Sequence, residues 1–214
     1  DGSLDIFVIN SDGTGLTKLT TGPEGVDDWP TWSPDGTKIA FASARGGSDR
    51  EIYVMDADGG NQVRLTNNPN SSDNRPSWSP DGTTIAFESL RDDNLEIYLI
   101  SADGTNPRNV SNYPRWPDHD PDWSPDGTKI VFVSERDGNA EIYLMDSDGS
   151  NQVNVTNDPI SSDVGPSYSP LGTRIAYGTN SVGGFEVFVI GVDGTGVNNL
   201  SRSAHADGVP AWAR

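Results

Sequence analysis

The chain has no cysteine. That excludes a disulfide framework, thiol catalysis and cysteine-based metal sites, and it leaves the redox compartment open. Histidine is nearly as scarce: His119 and His205 are the two in 214 residues, and two isolated imidazoles do not make a zinc site. Basic residues are in deficit, with 14 Lys and Arg against 32 Asp and Glu and a net charge of −18. So acidic a surface repels phosphate backbones and anionic lipid, which argues against a nucleic-acid partner. No apolar run approaches the ~20 residues of a membrane-spanning helix, so membrane insertion is not expected. Helical periodicity is absent as well, and the segments between turns are short and β-rich. No signal peptide is recognisable and the chain starts at Asp1, which predicts an N-terminus processed or trimmed from a precursor. Neither a G-x-S-x-G elbow nor a phosphate-cradling Gly loop occurs. With so many carboxylates, none stands out as a glycosidase pair. The expectation is a protein that is not an enzyme.

What the chain has instead is repetition. The phrase D-x-x-P-x-W-S-P-D-G recurs with its aromatic member at Trp32, Trp78, Trp123, Tyr168 and Trp212, at intervals of 46, 45, 45 and 44 residues. A second phrase keeps step: Asp5-Ile6-Phe7, Glu51-Ile52-Tyr53, Glu96-Ile97-Tyr98, Glu141-Ile142-Tyr143 and Glu186-Val187-Phe188. A period near 45 residues suits a four-stranded propeller blade. Within one repeat, Pro30 to Ser33 reads as an extended run, strand a. Ser33-Pro34-Asp35-Gly36 is a turn, with Pro presetting φ and Gly taking the positive φ. Residues 37–43 alternate and form strand b. Residues 51–56, apolar on both faces, form strand c, covered from both sides as in stacked blades. Residues 62–66 are the more polar rim strand d. The fold class is therefore all-β, a propeller of five repeats. Blades fall at 27–66, 73–111, 118–156 and 163–201. The closing blade is assembled from strands c and d in residues 1–20 and strand a in residues 207–214. Each repeat aromatic is expected to anchor one blade on the next.

The phrases W-S-P-D-G-x-x-I-A-F-x-S, then E-I-Y-x-M-D-x-D-G, then L-T, resemble the WD-like repeat of TolB-type β-propellers, over nearly the whole chain. The resemblance implies a bacterial, exported protein, periplasmic or extracellular, whose propeller is a platform for a protein or glycan. The family's namesake carries an N-terminal domain before its propeller, and related propellers precede α/β-hydrolase peptidase domains. No segment of this sequence corresponds to either. The fourth repeat departs from the pattern, with Tyr168 for Trp, Leu171 for the turn Asp and Asn180 where others have Arg.

The closing blade has no segment for strand b. Three explanations compete: a piece of a longer, six-bladed propeller; closure with three strands; or a slot that accepts a strand from another molecule, giving a homo-oligomer or filament. In the last case Leu4, Ile6, Val8, Pro210 and Trp212 are the assembly residues.

Strand direction puts the b–c and d–a loops at one rim. Asp27, Asp73, Asp118, Asp163 and Asp207, each three residues before a Pro, are expected to ring the channel mouth there. The ring is read either as a Ca²⁺ site of oxygen ligands or as braces that accept backbone N–H groups or pair with Arg; no other cofactor is expected. Arg45, Arg91 and Arg136 are expected to pair with Glu51, Glu96 and Glu141 across the hairpin mouths, or alternatively to reach the repeat Asp. The aromatic d–a loop, with Tyr113, Arg115, Trp116 and His119, is the best candidate for recognition. Trp29 is a second.

Overall fold

The computed structural model describes residues 4–21, 25–181, 183–202 and 205–212. It contains four four-stranded antiparallel sheets and one two-stranded sheet. The hairpin comes first, β1 (Phe7–Val8) with β2 (Thr17–Lys18). Blade 1 is β3 (Asp27–Trp32), β4 (Lys38–Ser43), β5 (Glu51–Asp56) and β6 (Val63–Arg64). Blade 2 is β7 (Asp73–Trp78), β8 (Thr84–Ser89), β9 (Glu96–Ser101) and β10 (Arg108–Asn109). Blade 3 is β11 (Asp118–Trp123), β12 (Lys129–Ser134), β13 (Glu141–Asp146) and β14 (Val153–Asn154). Blade 4 is β15 (Asp163–Tyr168), β16 (Arg174–Thr179), β17 (Glu186–Gly191) and β18 (Asn198–Asn199). Each blade is a simple meander with its strands in sequence order.

Two strand boundaries differ from the sequence reading. Strand a starts at the repeat Asp, three residues earlier, and tolerates its Pro because a β-bulge interrupts the pairing there, between Asp28 and Thr31 in blade 1 and at the matching place in blades 2 to 4. Strand d shrinks to two residues, as its polar side chains have nothing to bury against beyond the rim.

The core lies between blades. Trp78 packs with Ala40, Ile52 and Val54 of blade 1, Trp123 with Ala86, Ile97 and Leu99 of blade 2, and Tyr168 with Val131, Ile142 and Leu144 of blade 3. Each aromatic thus fills the face of the blade before it. The expected anchor role fails at Trp32, which is 47% exposed. The element before blade 1 is only the β1–β2 hairpin, and among the described residues no b strand faces Trp32.

The chain ends occupy the repeat's own positions. The Asp27 N–H donates to the Leu4 carbonyl, as Asp73 does to Arg50, Asp118 to Leu95, Asp163 to Ala140 and Asp207 to Phe185. Residues 4–21 are therefore a c–d unit placed before blade 1, and residues 205–212 follow blade 4 as a strand-a segment without regular pairing. Ile6 is buried and packs with Val8, Leu19, Ile39 and Phe41 against blade 1. It is consumed in this interface and is not free for assembly. Leu4 is exposed, while Pro210 and Trp212 are half-buried.

Candidate channel site

One cavity of about 300 Å³ is walled by residues 29–31, 75–77, 120–122, 165–167 and 209–211. These are the innermost segments of four blades and the C-terminal strand-a segment, so the cavity is the axial channel. In each of the four blades, the residue two positions after the repeat Asp has left-handed backbone: Trp29 (φ 53°), Arg75 (φ 50°), Asp120 (φ 56°) and Gly165 (φ 58°). That conformation is routine for Gly and costs the others of order 1 kcal/mol or more. It sits at the bulge, where the strand breaks its alternation.

The repeat Asp residues are placed otherwise than the sequence suggests. Asp73 and Asp118 are fully buried, and Asp27 and Asp163 nearly so. They lie beneath the wall and do not form an open ring. Arg45, Arg91 and Arg136 reach Asp27, Asp73 and Asp118 at 2.6, 2.9 and 2.9 Å. Each Arg Nε also donates to the last Ser of strand b, Ser43, Ser89 or Ser134. The guanidinium lies over the Tyr of strand c, 5.1 Å from Tyr53, 4.3 Å from Tyr98 and 4.6 Å from Tyr143. The expected Arg–Glu pairs are thus not formed. Glu51, Glu96 and Glu141 instead accept hydroxyls from Thr66, Ser111 and Thr156 and amides from Asn68, Tyr113 and Asp158, pinning the d–a loops. Blade 4 lacks the Arg, and the Asp163 Oδ1 there is buried with no hydrogen-bond donor.

The channel wall gathers a group that the motif does not announce. Arg75 lies 4.0 Å over the Trp29 ring and pairs with Asp120. Its Nε stands 3.8 Å from Glu88 Oε1. His119 Nδ1 is 3.4 Å from Asp120 Oδ2, and the Asp120 N–H donates to Glu88 Oε2 at 3.3 Å. Glu88 is 7% exposed, at the fifth position of strand b where the other blades have Ala42, Val133 and Gly178. Burial pushes its carboxyl up to about 7, against the pull of Arg75. Burial, with Arg75 adding, pushes the His119 imidazole down to about 4.

A pH dependence follows. The folded state holds the Glu88 proton more tightly than the unfolded chain, so this group's contribution to stability is full below about pH 4.5 and is lost as pH rises through 7. The glutamine variant has no such loss. Urea melts should therefore show Glu88→Gln gaining on the parent by up to about 3 kcal/mol between pH 4.5 and 8.5. A gap that stays flat across that range would mean that Arg75 already holds the carboxylate ionised.

A family model described as TolB beta propeller domain matches residues 1–74 and 67–214, which together take in the whole chain. The chain belongs to the TolB beta propeller domain family. A TolB homolog of Chlorobium luteolum is 48% identical over 48 residues, 22% of this chain and 11% of that relative. The structure of putative TolB from Agrobacterium tumefaciens superposes with a TM-score of 0.80 at 25% identity, covering 90% of this chain and 72% of that one. TolB from Acinetobacter baumannii gives 0.77 at 24% identity, with 91% of this chain and 48% of that one covered. This TolB-family propeller thus spans about half the length of the Acinetobacter protein. Among the described residues no helix is long and apolar enough to cross a membrane.

Of the residues singled out in the sequence, the structure brings Trp29 and His119 to the channel group. The d–a loop is held apart from it. Tyr113 lies under Arg136 at 4.4 Å, Asn94 ties the Tyr113 and Trp116 carbonyls, and Arg115 and Trp116 are exposed. Asp207 is half-buried. Arg75, Glu88 and Asp120 were missed. The available signal was a break in symmetry, since these are charged residues at positions where no other repeat has the same one.

Proposed function

We propose that this propeller is a non-catalytic, exported platform that takes a protein or glycan at the mouth of its channel. The observation that carries the reading is the left-handed backbone of Trp29, Arg75 and Asp120 on the channel wall. A chain that keeps non-glycine residues in that conformation at three successive blades keeps them for where their side chains point. An aromatic face, a guanidinium and a carboxylate around a cavity of about 300 Å³ are the ingredients of a small recognition site. Export to the periplasm or the cell exterior belongs to this reading and rests on the family.

The test is a peptide-display selection and a glycan array on the parent protein, with hits re-measured on Trp29→Ala and Arg75→Ala. The expected result is at least a tenfold loss of affinity in both variants. Hits bound equally by parent and variants would sink the channel as the binding face.

A second reading, a structural subunit whose closing blade receives a neighbour's strand, is favoured by one observation. Trp32 is half-exposed beside the β1–β2 hairpin, where Phe7 and Leu16 are exposed too. Light scattering over a concentration series separates the two: growth in mass supports assembly, and a constant mass near 22.9 kDa rejects it.

A further inference from the structure

Repeat symmetry separates what holds this fold from what was added to it. A residue needed for blade packing recurs in every blade. A buried charge that occurs once has no such reason, and it costs folding free energy. Glu88 is the clearest case, a buried carboxylate where the other blades have small apolar side chains. Among the described residues, its Oε1 receives no hydrogen bond, its nearest cation being Arg75 Nε at 3.8 Å. His119 and Asp120 are also unique at their places in strand a. In a regular strand, consecutive residues point to opposite faces. Here the left-handed backbone of Asp120 breaks the alternation, and the imidazole and carboxylate meet on one side.

Among the described residues, Glu88, His119 and Asp120 are the one group of three potential metal ligands whose donor atoms lie within 4.8 Å of one another. We propose that these three side chains form a site for a first-row divalent transition ion, of the zinc or manganese type. One imidazole nitrogen and two carboxylate oxygens are a donor set that such ions take. The 3.4 Å between His119 Nδ1 and Asp120 Oδ2 is the edge of a tetrahedron with metal–ligand bonds of about 2.1 Å. The Glu88 donor lies within 4.8 Å of the other two, so bringing it onto the same centre takes an approach of at most about 1.4 Å. Arg75 stays outside the coordination sphere. It holds the Asp120 Oδ1, leaving Oδ2 for the ion, which is the orienting role that neighbours of ligands play in metal sites. Of the three ligands, Asp120 is also part of the channel wall. The site does not depend on the partner proposed above.

The test uses the metal alone. Protein stripped with a chelator is titrated with Zn²⁺ and Co²⁺ by calorimetry and visible absorption, alongside His119→Asn and Glu88→Gln. The expected result is one equivalent bound, with the d–d absorption of low-coordinate Co²⁺. Affinity should fall at least tenfold in each variant, whose far-ultraviolet circular dichroism should match the parent. Binding of equal affinity in parent and variants would assign the ions to the acidic surface and overturn the site. So would the absence of the Co²⁺ bands.

Discussion

Replacing Trp123 with alanine should cost about 3–5 kcal/mol in a urea melt, and the same change at Trp32 should cost under about 1 kcal/mol. The two tryptophans hold the same place in the same motif, so nothing in their local sequence separates them. Trp123 is 4% exposed, lies in the cluster that joins blades 2 and 3, and donates its indole N–H to the Ser77 carbonyl of the neighbouring blade. Its loss opens a large cavity and orphans that bond. Trp32 faces a two-stranded hairpin and solvent, so its truncation removes little packing. Similar costs at the two positions would show that Trp32 is covered in solution, either by the chain's own ends or by another molecule.

Asp118→Ala should cost about 3–5 kcal/mol, because it leaves the Arg136 guanidinium buried without its counter-ion. The Arg136 side chain is only 12% exposed and contacts both carboxylate oxygens. Its remaining partners, Ser134, Gln152 and the rings of Tyr113 and Tyr143, carry no charge. Asp163→Asn is the control. It occupies the matching position in blade 4, where the register Asp163↔Thr179 puts Ser181, not Asn180, in the place of the Arg, so no cation is orphaned and the effect should stay within about 1 kcal/mol. Equal losses at both sites would mean that the carboxylate braces backbone in every blade and that the arginine is incidental.

The blade was readable because its determinants are local and repeated. S-P-D-G, present three times, can hardly be anything but a turn, E-I-Y-x-M-D can hardly be exposed, and the related phrases of the other repeats average out the ambiguity of any one. The arginine partner was harder. Arg45 is close to both Asp27 and Glu51 along a hairpin, and only the register Asp27↔Ser43 decides that its guanidinium swings over the last strand-b serine toward the Asp. The channel group was least legible. Glu88 and Asp120 are 32 residues apart and in different blades, so no spacing rule links them, and the bulge that turns Asp120 inward is a backbone event that leaves no residue signature beyond the following Pro. His119 was noticed for its rarity. Its neighbours were hidden by abundance, in a chain with 32 acidic residues.

The bulge has a consequence for how such a protein can change. At each blade one residue projects from a kink that every copy shares, and Trp, Arg, Asp and Gly all occupy it without altering the strands on either side. The interior of the channel is therefore written in single letters, one per blade. Glycine at the fourth blade is the blank: the backbone is already in the conformation glycine prefers, so erasing a letter is structurally cheap, whereas writing one back there would first have to displace Val209, which a Cβ on Gly165 would meet.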